Sequence, residues 1–213
     1  MKTEELVAML AAGESAVAPH AVQRRYAMAM SWGLPASGLL MASLLNIRAD
    51  LAAAVLLPAF WVKIGFVASL TAAALFAVLR LSRPGASLDR VTGFLVMPVL
   101  IMWSIGAFVL FEGEPQQRPA LFFGATWKVC PLLIAILSLP LFAGILWAMK
   151  GLAPTHTRFA GFAAGLLAGA TAALVYCLHC PEMAAPFIGF WYLLGMLIPA
   201  FIGALIGDRL LRW

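Results

Sequence analysis

Charge is scarce in this sequence. Only 11% of the 213 residues are Asp, Glu, Lys or Arg, against about a quarter in an average soluble domain. That shortage excludes an ordinary water-soluble globule. The net charge of +5 comes without a basic patch, so a nucleic-acid surface is excluded too. No glycine-rich phosphate loop, His-Glu-x-x-His motif or nucleophile elbow occurs. Nucleotide hydrolysis, zinc proteolysis and elbow-type serine hydrolysis therefore lack their residues. His20 stands alone, with no metal-ligand partner at a usual spacing. The nine carboxylates all fall in tails, loops or helix ends, whereas transporters place acids inside their spans. Residues 1–23 have no long apolar core or cleavage pattern, so this segment is expected to stay where it is synthesised rather than act as a secretory signal.

What is abundant is apolar sequence. Hydrophobic residues make up 64% of the chain, and 18 Gly and 13 Pro are scattered through the apolar runs, which packed membrane helices accept. Runs of about 20 residues suffice to cross a bilayer core of ~30 Å. Six are predicted: about Tyr26 to Leu45, Phe60 to Leu79, Val91 to Phe111, Trp127 to Met149, Phe159 to Leu178 and Phe187 to Ile206. Pro58 cuts short the apolar stretch Leu51 to Leu57, which reads as an interfacial or re-entrant piece. The runs are too long for strands and lack two-residue alternation. The fold class is therefore all-α, a polytopic six-helix membrane bundle.

Lys and Arg set the orientation, since they concentrate on the cytoplasmic side. One side carries Lys2, Arg24, Arg25, Arg80, Arg83, Arg90, Lys150, Arg158, Arg209 and Arg212, ten in all, and the other Arg48, Lys63, Arg118 and Lys128, four in all. Both termini are expected in the cytoplasm. Gly161, Gly165 and Gly169 form a small-residue stripe, and Gly195, Pro199, Gly203 and Gly207 form another. Such stripes let helix backbones approach closely. Packing within one chain is the preferred use, and a homodimer contact the second.

The cysteines fall at the outer helix ends. Cys130 starts the fourth run, Cys180 follows the fifth, and Cys177 lies one turn deeper, where it reads as a small buried core residue. His179 and Glu182 flank Cys180. Thiol, imidazole and carboxylate together suit either a disulfide or a soft metal held by Cys130, Cys180 and His179, and the odd cysteine count leaves one thiol over. Cys177 to Cys180 has C-x-x-C spacing, but a helix C-terminus disfavours thiolate, so a catalytic thiol pair is disfavoured. Lys63 and Lys128 each neighbour a tryptophan. Lys128 reads as an interfacial anchor, while the deeper Lys63 is expected to pair with Glu182 or Glu112. Near the start, Thr3 can cap a short helix with Glu4 and Glu5 in its first turn and Leu6, Val7 and Leu10 on one apolar stripe. So short a helix gains most by laying that stripe in a partner's groove.

Pro58-Ala-Phe-Trp-Val-Lys63, the Arg80-Leu-Ser-Arg-Pro-Gly85 turn, Trp127-Lys-Val-Cys130 with Leu137-Ser-Leu-Pro140, and Leu178-His-Cys-Pro-Glu182 together resemble the NrsF-type proteins. These are six-helix membrane anti-sigma factors of extracytoplasmic-function sigma factors. The resemblance covers essentially the whole chain. It implies a cytoplasmic sigma-binding segment at residues 1–25, with Glu4, Glu5, Leu6, Val7 and Leu10 as contacts, and a transmembrane domain at residues 26–213. It also implies location in a bacterial inner membrane, and sensing of oxidative or thiol-reactive metal stress by Cys130 and Cys180. Cys177 has no counterpart in that pattern. No enzymatic activity, cofactor or direct nucleic-acid contact is implied, and a soft metal enters only as a signal. The alternatives are a membrane thiol-disulfide oxidoreductase and a small transporter subunit.

Overall fold

Each long apolar run forms a helix, because only helices satisfy every backbone group within one apolar segment. The computed structural model describes residues 3–13, 20–82, 89–152 and 154–212. Its elements are α1 (Thr3–Gly13), α2 (Ala21–Leu44), α3 (Leu51–Ala54), α4 (Pro58–Leu81), α5 (Asp89–Glu112), α6 (Arg118–Phe123), α7 (Cys130–Lys150), α8 (Thr157–Tyr176) and α9 (Ala185–Leu210). Among the described residues all regular structure is helical, and six helices (α2, α4, α5, α7, α8 and α9) are long and apolar enough to cross a membrane.

Helix ends differ from expectation where local chemistry overrides the apolar pattern. α2 starts at Ala21 rather than Tyr26, so Arg24 and Arg25 lie inside its first turns. Their long stems let the charges reach water while the backbone stays helical. α7 starts at Cys130 rather than Trp127 because Pro131, which needs no donor, occupies its first turn. α8 stops at Tyr176 rather than Leu178, its end tightened by hydrogen bonds from the Leu178 N–H to the Val175 carbonyl (3.1 Å) and from the His179 N–H to the Tyr176 carbonyl (3.0 Å). The connection that follows α5 runs into α6, where Pro119 sits in the first turn.

α8 is the axis of the bundle, packed against α9, α7, α4 and α2 and buried along most of its length. Seven alanines and three glycines among its 20 residues make it thin enough for several neighbours to approach. The two glycine stripes meet. A Cβ added at Gly161 would collide with the Gly203 carbonyl, one at Gly165 with the Pro199 carbonyl, and one at Gly169 would lie 2.8 Å from the Met196 oxygen. The stripes thus serve packing within the chain, where dispersion between close backbones holds α8 to α9. α5 lies at the periphery, against α4 and the start of α9.

The basic residues segregate along the bundle axis. Arg24, Arg25, Arg80, Lys150, Arg158, Arg209 and Arg212 lie at the end where α2 and α8 start and α4, α7 and α9 finish. There the Tyr26 hydroxyl lies 2.7 Å from Ser82 Oγ, and Asp208 accepts from Thr157 and Arg158. Lys2, Arg83 and the side chain of Arg90 lie outside the described residues. Arg48, Lys63, Arg118 and Lys128 lie at the opposite end.

Candidate functional site

At the opposite end, α2, α5 and α8 finish while α4, α7 and α9 begin, and the connections between them enclose all three cysteines. Cys130 is the first residue of α7, Cys177 follows the last residue of α8, and Cys180 lies in the descending turn. All three are free thiols with no exposed surface. The side chains of Cys130, Cys180 and Tyr176 lie against one another, and interaction with the neighbouring Cys130 thiol holds Cys180 below the usual thiol range. Thr126 Oγ1 completes the surround, 4.0 Å from the Cys180 sulfur.

Two of the chain's three tyrosines close the cluster. Tyr176 and Tyr192 pack ring to ring at 5.7 Å. A π-helical turn over Ile188–Tyr192 widens the first part of α9 and shifts its phase. Tyr192 is thereby fully buried, while the neighbouring Trp191 joins an aromatic group with Phe122 and Trp127. The Tyr192 hydroxyl has no hydrogen-bond partner among the described residues, and its polar neighbours are the thiols of Cys177 and Cys180. A buried hydroxyl left without a conventional partner is costly, and thiols are weak substitutes.

The loop that carries Cys180 is held by two cations. Lys63, fully buried, donates from Nζ to the carbonyls of Cys180 (3.0 Å) and Glu182 (3.1 Å). Arg48 donates through Nη1 to the Cys180 carbonyl (3.3 Å) and through its backbone N–H to Leu178 (3.2 Å). Asp50 fixes the guanidinium through paired bonds of 2.7 and 2.6 Å, and that hydrogen bonding holds the Asp50 carboxyl below its usual range. The expected ion pair between Lys63 and a Glu182 or Glu112 carboxylate is therefore corrected: backbone carbonyls, not carboxylates, take the ammonium. The Glu182 carboxylate turns the other way. Its Oε1 accepts from the Ala125 N–H (2.7 Å), and the group lies over Gly124. With φ +53° and ψ −163°, Gly124 adopts a backbone essentially closed to other residues, and an added Cβ would come within 2.6 Å of that carboxylate.

His179 and Cys180 are neighbours in sequence but face different partners, since His179 Nδ1 lies 2.9 Å from the Asn46 carbonyl. Among the described residues no three His, Cys, Asp or Glu side chains gather where they could hold a metal ion. Lys128 is exposed, with its ammonium 5.6 Å from the Trp127 ring, as an interfacial anchor requires. On α1, Glu4, Glu5 and Val7 are exposed, while the side chains of Leu6 and Leu10 lie outside the described residues.

Sequence reasoning did not single out Arg48, Tyr176 or Tyr192. The signal for Arg48 was its acidic partner two residues on, a spacing that suits a bidentate bond. The signal for the tyrosines was a phenol directly before Cys177 and another early in the following apolar run.

Comparison with known proteins bears on what this cluster belongs to. The family described as "Negative regulator of sigma F", NrsF, matches residues 10–213. A protein of Azospira oryzae named probable anti-sigma-F factor NrsF is 63% identical over 213 residues, covering 100% of both chains. The anti-sigma-F factor NrsF of Caulobacter vibrioides is 39% identical over 215 residues, again covering 100% of both. No solved structure matches the chain.

Proposed function

This chain belongs to the NrsF family of negative regulators of sigma F, and from that membership we propose how it holds and releases its sigma factor. It is an anti-sigma factor. In our reading its six apolar helices cross a bacterial inner membrane with both termini in the cytoplasm, which the segregation of Lys and Arg to one end of the bundle supports. The partner is a sigma factor of the extracytoplasmic-function type, bound by residues 1–25 through Glu4, Glu5, Leu6, Val7 and Leu10. Exposure of Glu4, Glu5 and Val7 on a short helix supports that assignment, because such a helix is marginal until a partner's groove covers its apolar side.

The observation that carries the sensing half is the contact between Cys130 and Cys180, which joins the start of α7 to the turn after α8. Oxidation converts the two thiols to a disulfide as an oxidant takes two electrons and two protons leave. Alternatively, a thiophilic metal ion bridges the two thiolates, drawing further ligands from water or from a shifted His179. Either event fixes the outer ends of both helices in a new geometry. The bundle then has two states, and sigma is released only as far as its affinity differs between them. The oxidoreductase alternative needs a thiol that a partner protein can reach, and all three thiols are enclosed.

The test is co-purification of the cognate sigma factor with the detergent-solubilised protein. Replacing Leu6 and Leu10 by Glu is expected to lower sigma recovery at least about tenfold with unchanged membrane insertion, since desolvating two carboxylates opposes docking by several kcal/mol. Undiminished recovery would place the binding surface elsewhere. The Cys130→Ser/Cys180→Ser protein is expected to retain sigma under oxidant or soft metal, whereas Cys177→Ser releases it as the parent does. Normal release from the double variant would remove the cysteines from the signal.

A further inference from the structure

α4 presents a third small-residue stripe, and the chain does not fill it. Gly65, Ser69, Ala72 and Ala73 line one side of a groove of ≈ 650 Å³ whose other wall is α5, around Met97 and Pro98. A Cβ added at Gly65 would meet nothing within 4 Å. The contrast with the stripes of α8 and α9 is direct: there an added Cβ strikes backbone at once. On α4 the groove runs from Val62 to Phe76, roughly 21 Å at 1.5 Å per residue. Its lining is almost wholly apolar, Val62, Phe66, Phe76, Phe94, Ile101 and Ile105 among it. It suits a single flexible hydrocarbon chain. Its length exceeds the ~15 Å depth of one leaflet's hydrocarbon, so one acyl chain fits along it.

The mouth at the basic end of the bundle is chemically distinct. Phe76 and Phe94 meet there edge to face at 5.5 Å, and the Arg80 guanidinium lies 5.0 Å from the Phe76 ring. Among the described residues the ion pairs are Arg48 with Asp50 and Arg158 with Asp208, and neither involves Arg80. A cation held over the aromatic rim of an apolar slot is complementary to an anionic headgroup whose chain occupies the slot.

We propose that the α4–α5 groove is a binding site for one acyl chain of an anionic phospholipid, with Arg80 at the headgroup phosphate. The lipid completes the packing of α5, which the chain alone leaves largely uncovered. The site is independent of the cysteine cluster and of sigma binding.

Full-length protein in mild detergent, stripped of loosely held lipid, would be offered phosphatidylglycerol or phosphatidylcholine with identical chains and weighed by native mass spectrometry. The expected result is one retained lipid per chain, with phosphatidylglycerol favoured at least about fivefold, the scale of one charge–phosphate contact near a surface. Gly65→Leu combined with Ser69→Leu fills the slot from an open position and should abolish retention of both lipids. Arg80→Gln should retain a lipid but lose the headgroup preference, and it leaves the groove intact should the filled variant fold poorly. Equal retention of the two headgroups by the parent protein would overturn the proposal. So would undiminished phosphatidylglycerol binding by the filled variant, or a two-chain species that the same substitutions dissociate.

Discussion

Lys63 shows how one side chain can organise a site without acting in its chemistry. Its ammonium is enclosed with no carboxylate partner and bonded to two backbone carbonyls, an arrangement that persists only if the loop it ties is worth holding. In Lys63→Met the Glu182 carbonyl is orphaned, whereas the Cys180 carbonyl keeps Arg48. One lost carbonyl bond costs about 1–3 kcal/mol. That loss should appear as local opening of the turn more than as global unfolding. We expect Cys180 to be alkylated at least about tenfold faster, since 1.4 kcal/mol is a factor of ten. Labelling can be followed by mass spectrometry with Cys130 and Cys177 changed to Ser. An unchanged labelling rate would show that Arg48 and His179 alone hold the turn.

Among the elements, α8 shows what glycine supplies. Gly165 opposes the Pro199 carbonyl with Ala200 Cα behind it, 2.7 Å from where a Cβ would stand. Gly165→Ala must therefore part α8 from α9, and overpacking of this kind costs about 1–3 kcal/mol. Gly38 in α2 has nothing within 4 Å of an added Cβ, so Gly38→Ala keeps its contacts and gains up to ~1 kcal/mol of helix propensity. Thermal unfolding in detergent should separate the two substitutions in opposite directions. A fall of equal size in both would mean that Gly38 faces a contact formed only in the membrane.

For the molecule as a whole, the charge asymmetry predicts an orientation that is open to direct test. Reporters fused after Trp213 and within residues 83–89 are expected to read cytoplasmic, and one at Gly113, between α5 and α6, to read external. A cytoplasmic signal at Gly113 would break the six-span arrangement. In the proposed orientation the cysteine cluster lies on the face where oxidation is permitted and the tail on the face where a sigma factor is found. Release then requires a change carried along the helices.

The sequence alone determined the class of molecule, because apolar length is a one-dimensional property. Six apolar runs with few charges call for six long helices, and six helices of that length form, while the Lys and Arg tally supplies the expected orientation. It also located the helix contacts, since a four-residue glycine spacing lies on one helical face whatever it faces. The helix ends were only approximate. Proline at the start of α6 and α7, and tightened turns at the end of α8, are local choices that an apolar count does not see. The motifs around Cys130 and Cys180 carried a family resemblance, and the family match bears it out. Only the tertiary structure decided that Lys63 serves carbonyls rather than a carboxylate, that Tyr192 turns into the thiols, and that the α4 stripe, unlike those of α8 and α9, faces open space. Each of these depends on how separate segments come together or on space left unfilled between helices, and local sequence encodes neither.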